Sequence, residues 1–164
     1  MLLSGLLVLG IVLWSPGMLF GFRGQLSTMQ YPESFSTVRA ELLTSAPESK
    51  MLILPWHSYM GCDWTNKRVI ANPMASFFSP LSAVSADNIE MGPALYSNSL
   101  NPESKIIEDF LSSSGHLIDP VLAQGFTHIF VLRNCANLEE FSWLRDVCQL
   151  RDEKPEYFLY DCQR

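Results

Sequence analysis

No charged side chain occurs between Met1 and Phe22; Arg23 is the first. A helix without charge on any face avoids water, so such a stretch is buried in protein or in lipid. The run LLSGLLVLGIVLWSPGMLFGF is close to the ~20 residues that cross a bilayer as a helix. A secretory signal would need a basic leading segment and a small-residue cleavage site, and this sequence has neither pattern. Residues 1–22 are therefore expected to form one N-terminal transmembrane helix, with the lipid bilayer as partner. Ser15-Pro16-Gly17 is its weak point, and Trp14, Phe20 and Phe22 suit the headgroup region. Charge does not orient the segment, because only Arg23 flanks it closely. A chain that opens on an uncharged span reads as the last span of a longer membrane protein.

Residues 23–164 hold every charge, for a net −6. A stretch of that length can bury a real hydrophobic core. The acidic balance excludes nucleic acid as a partner, since a phosphate backbone is bound by clustered Lys and Arg. Here the eleven basic residues are scattered, and Lys67-Arg68 is their densest pair.

Tyr31-Pro32-Glu33-Ser34 opens a helix, with Glu33 at the positive end of its dipole. Phe35, Val38, Leu42 and Leu43 follow at helical spacing. Met51-Leu52-Ile53-Leu54 and Thr127–Leu132 are short apolar runs of the kind buried on both faces of a sheet. Residues 56–102 lack periodicity and read as loop-rich, a pattern that often carries function. Asn101-Pro102-Glu103-Ser104 starts a second long helix with Ile106, Ile107, Phe110 and Leu111 inward and Gly115 as its stop. Asp119-Pro120 begins a short helix, and Leu138–Leu144 reads as another. Val147–Leu150 and Tyr157–Tyr160 are expected to form an antiparallel hairpin. Helices alternating with buried strands predict a small α/β layer domain with a mixed sheet and flanking helices.

Cys62, Cys135, Cys148 and Cys162 show no C-x-x-C spacing, so nothing suggests a zinc or thioredoxin-type site. Cys148 and Cys162 fall on the two hairpin strands, where a disulfide fits unless the register slips by one. The alternative is four small apolar packing residues.

The densest cluster of functional residue types is Trp56, His57 and Tyr59 with Asp63 and Trp64, directly after a buried strand. Ligands of α/β sheets sit beyond the carboxyl ends of strands. The three aromatics suit stacking on a sugar ring, and His57 and Asp63 can supply hydrogen bonds. The competing reading makes these aromatics caps on the core. A serine hydrolase is disfavoured, since no G-x-S-x-G elbow is present. Glu139-Glu140 and Asp152-Glu153 are adjacent pairs whose side chains diverge, so neither makes a glycosidase-like couple. No P-loop or dinucleotide fingerprint occurs, and no catalytic residue, metal ligand or cofactor is assigned.

Five segments in order carry a resemblance: GFRGQLSTMQYPESF, KMLILPWHSYM, RVIANPMASFF, GFTHIFVLRNCANLEEFSWL and EYFLYDC. Together they resemble the C-terminal part of polytopic membrane proteins related to the GT-C glycosyltransferases. That resemblance implies a parent protein using a lipid-phosphate-linked sugar, with its catalytic acidic residue in an early loop between spans. It implies that residues 23–164 are an extracytoplasmic domain without the catalytic loop. The implied role is accessory: contact with glycan or with the upstream transmembrane region. A membrane-tethered binding or structural module unrelated to sugar transfer is the other reading.

Overall fold

The computed structural model describes residues 29–162, except 89, 92–93, 96–100, 114–117 and 136–137. The expected transmembrane helix over residues 1–22 and the helix stop at Gly115 lie outside the described residues. Among the described residues no helix is long and apolar enough to cross a membrane. Residues from Tyr31 onward form one compact unit.

Its frame is a five-stranded mixed sheet flanked by helices. The strands are β1 (Lys50–Leu54), β4 (Ser82–Val84), β7 (His128–Leu132), β8 (Gln149–Glu153) and β9 (Tyr157–Asp161), in the order β4-β1-β7-β9-β8. β4, β1 and β7 are parallel, and β9 runs antiparallel to both β7 and β8. The two continuous apolar runs of the sequence become the paired central strands, with Leu52 opposite Ile129 and Ile53 opposite Phe130.

Strand side chains alternate between faces, and the core divides accordingly. Met51, Ile53, Phe130, Leu132, Tyr157 and Leu159 point to one face. They meet Phe35, Val38 and Leu42 of α1 (Glu33–Ser45) and Met74 and Phe78 of α2 (Met74–Phe78). Leu52, Leu54, Ile129, Val131, Phe158 and Tyr160 point to the other. They meet Ile107 and Phe110 of α3 (Pro102–Ser112) and Val121 of α4 (Asp119–Leu122). The result is a three-layer arrangement, with helices covering both faces of strands apolar on both sides. α3 starts as its sequence suggests: Asn101 Oδ1 accepts from the Glu103 backbone N–H at 3.0 Å, and Pro102 occupies the first turn.

Residues 56–102 are more structured than their sequence suggests. They hold the antiparallel ribbon β2 (Tyr59–Gly61) with β3 (Val69–Ala71), then α2 and β4, then the pair β5 (Glu90–Met91) and β6 (Ala94–Leu95). Elements of two to five residues span too little of any period to register in a pattern.

Two other expectations shift. Leu138–Leu144 is not one helix: a 3₁₀ turn at Leu138–Phe141 is followed by α5 (Leu144–Val147). Val147 and Cys148 are not in the hairpin. The Cys148 N–H closes the last turn of α5 on Leu144 O at 2.8 Å, so β8 begins at Gln149.

Within β8 the pairing steps from Leu150–Tyr160 to Asp152–Leu159, leaving Arg151 as a bulged residue. Arg151 Nη1 lies 3.2 Å from His128 Nε2, and Nη2 donates to Glu41 Oε1 at 2.7 Å and Ser45 Oγ at 3.1 Å. On the other side of the ring, Thr127 Oγ1 lies 2.8 Å from Nδ1. Asp161 Oδ1 stands 3.1 Å from Nε2. His128 is 2% exposed. Burial lowers its pKa from the ordinary 6.5, Asp161 partly offsets this, and Arg151 adds to it.

A histidine whose folded pKa is depressed stabilises the fold fully above its unfolded pKa. That contribution is lost as pH falls through the folded value. The urea midpoint should therefore drop as pH falls below the ordinary 6.5, and drop less steeply in His128→Gln. Identical slopes for the two proteins would show that this buried ring is not the group responsible.

Candidate functional site

The chain leaves β1 toward β4 on one side, while β7 pairs with β1 on the other. Diverging connections of this kind open a crevice beyond the carboxyl ends of the strands. A cleft of about 400 Å³ lies there. One wall is Pro55, Trp56 and His57, directly after β1; Asn88 comes from the segment after β4. Glu108, Asp109 and Leu111 enter from the second half of α3, and Glu140 and Phe141 from the turn after β7.

The first wall is tied down by backbone. His57 N–H donates to Pro55 O at 2.9 Å, and Asn72 Nδ2 donates to His57 O at 3.1 Å. Ser58 Oγ donates to Asn88 O, which joins this wall to Asn88. Asn88 is 1% exposed. Its Nδ2 donates to Glu108 Oε1, which orients that carboxylate. Its Oδ1 has no hydrogen-bond partner, and neither does the buried Nε1 of Trp56. Two buried polar atoms on residues that line the cleft, an acceptor and a donor, thus have no hydrogen-bond partner; each costs roughly 1–3 kcal/mol while it stays so. A hydroxyl, which both donates and accepts, is the group whose chemistry matches either atom.

Of the five residues that the sequence grouped, Trp56 and His57 line this cleft and three do not. Tyr59 lies on β2, 48% exposed. Asp63 is exposed at the start of a 3₁₀ turn and faces Lys67 Nζ at 4.0 Å. Trp64 packs edge-on against Phe35, with ring centroids 6.0 Å apart, and lies 5.4 Å from Tyr31. Trp64 therefore belongs with the α1 face of the sheet and Trp56 with the α3 face. Asn88, Glu108 and Asp109 were not singled out from sequence, and Glu140 was weighed only in the Glu139-Glu140 pair and set aside. Their shared position depends on strand order, which no local pattern reports.

Cys148 and Cys162 form a disulfide with S–S 2.03 Å, and Cys62 and Cys135 form a second with S–S 1.99 Å. Together they correct the alternative of four packing cysteines. Cys135 lies in the turn after β7, which leads to Glu140, so this bond braces the cleft's edge.

A larger depression of about 700 Å³ borders Gly125, Phe126 and Thr127, ahead of β7. Among the described residues Asp119 is its one charged lining residue, and they bring none of the convergent polar groups of the smaller cleft. Among the described residues no group of three or more His, Cys, Asp or Glu side chains is placed to hold a metal ion. No protein-family model, no curated protein and no solved structure matches this chain, so what the cleft binds is read from its own side chains.

Proposed function

We propose that residues 23–164 are an outward-facing accessory domain of a GT-C-like, glycosyltransferase-related membrane protein, tethered by residues 1–22 and contacting glycan. In this reading sugar transfer belongs to loops between membrane spans, and the domain supplies contact with the acceptor. The cleft beyond β1 carries the proposal. An aromatic ring at its wall can stack on the C–H face of a sugar. The unfilled Asn88 Oδ1 and Trp56 Nε1 match hydroxyl groups, and about 400 Å³ accommodates a small ligand. The two disulfides support the outward orientation, since such bonds persist in oxidising compartments.

Glycan binding by the membrane-reconstituted protein tests this. Trp56→Ala should weaken binding about tenfold and His57→Ala by less. Tyr59→Ala and Asp63→Ala, both off the cleft, should leave it unchanged. Unaltered binding and sugar-transfer activity in the Trp56 and His57 variants would remove the cleft from the function.

A further inference from the structure

Among the described residues, carboxylates dominate the charge of this cleft. Glu108, Asp109 and Glu140 contribute three carboxylates, and Asn88 adds its unfilled Oδ1. No Lys or Arg stands among the described lining residues. Trp56 Nε1–H is a donor without a hydrogen-bond partner, and His57 and Ser112 also line the cleft with groups that can donate. Ionised carboxylates accept and never donate, so a fitting ligand brings more donors than acceptors. A phosphate or uronate brings acceptors and negative charge, and the three carboxylates repel it. A hydroxyl brings one donor. A protonated amine brings three donors, no acceptor and the complementary charge. It also gains from the negative face of an indole ring such as that of Trp56.

Glu108 is held for this role: it is half-buried, and the buried amide of Asn88 fixes its Oε1. Asp109 and Glu140 are exposed at the rim, where they attract cations at longer range.

We infer that the cleft takes an amine-bearing sugar, a hexosamine unit with a free ammonium group. Its hydroxyls meet Asn88 and Trp56, and its ammonium meets the carboxylates. This rests on the glycan reading above and narrows it to one charge class. It also makes the cleft a poor site for a phosphate-linked donor, consistent with acceptor contact.

Calorimetric titration of the full chain in detergent tests the inference with four probes: a glucosamine trimer, its fully N-acetylated form, a galacturonate trimer and trilysine. The glucosamine trimer should bind about tenfold tighter than the acetylated one, with galacturonate not binding. Glu108→Gln with Glu140→Gln should abolish that preference while keeping the weaker binding of the acetylated trimer. Equal affinities for the amino and acetylated trimers would overturn the charge reading and leave the glycan reading standing. Trilysine binding as tightly as the amino sugar would overturn it in favour of a cationic peptide. Failure of every sugar, in a protein with native circular dichroism, would remove both readings.

Discussion

Replacing Cys62 and Cys135 together by alanine is expected to cost about 4 kcal/mol of stability. The two residues are 73 apart in sequence, and their bond removes a long loop from the unfolded ensemble. Cys148 and Cys162 are 14 apart, so their loss should cost about 3 kcal/mol. Cys62 is also fully buried in the α1 face of the core, where a smaller side chain leaves a void. Urea denaturation of the two double variants measures the difference, and reduced wild-type protein should be no more stable than either. An equal loss at the two pairs would rule out loop closure as the source of the ranking. Because the long bridge braces the turn leading to Glu140, its removal should also weaken binding at the cleft before the domain unfolds.

The local elements were legible because they repeat. Phe35, Val38 and Leu42 recur at helical spacing and are all buried in α1. Met51 to Leu54 and Ile129 to Leu132 are buried at every position, as continuous apolar runs between two helical layers should be. Long-range pairing was not legible. The β1–β7 register joins residues 77 apart, such as Met51 with His128, and nothing within either segment names its partner. The Cys62–Cys135 bond joins the segment after β2 to the turn after β7, another long-range contact that no local pattern reports. The cleft suffered most. The sequence offered Trp56 through Trp64 as one cluster, but the chain crosses from one face of the sheet toward the other within it. The residues that complete the cleft with Trp56 come from three other segments. Asn88 has no periodic context, and Glu108 and Asp109 look like ordinary solvated positions on the polar face of a helix.

Phe130→Ala should be the most damaging single substitution in the sheet, at about 4 kcal/mol. Phe130 sits mid-strand in β7, fully buried, between β1 and β9. Its ring stacks on Tyr157 at 4.7 Å and meets Phe78 at 5.0 Å and Phe35 at 5.6 Å in edge-on contacts. Those partners come from β9, α2 and α1, so one side chain joins three elements that share no local contact in sequence. Truncation removes the transfer energy of the ring and leaves a cavity that the paired β1 and β9 backbones cannot close. Phe130→Leu retains most of the volume and should cost about 1.5 kcal/mol or less. Val69→Ala, at a position 74% exposed on the β2–β3 ribbon, should stay within about 0.5 kcal/mol. The measurement is the urea midpoint with its slope: a lower midpoint at constant slope reports a lost core contact rather than an altered unfolded state. A cost below about 2 kcal/mol would mean that α1 and α2 are held by something other than this ring cluster. The proposed cleft would then rest on a more yielding frame, since β7 carries the turn that presents Glu140 and Phe141.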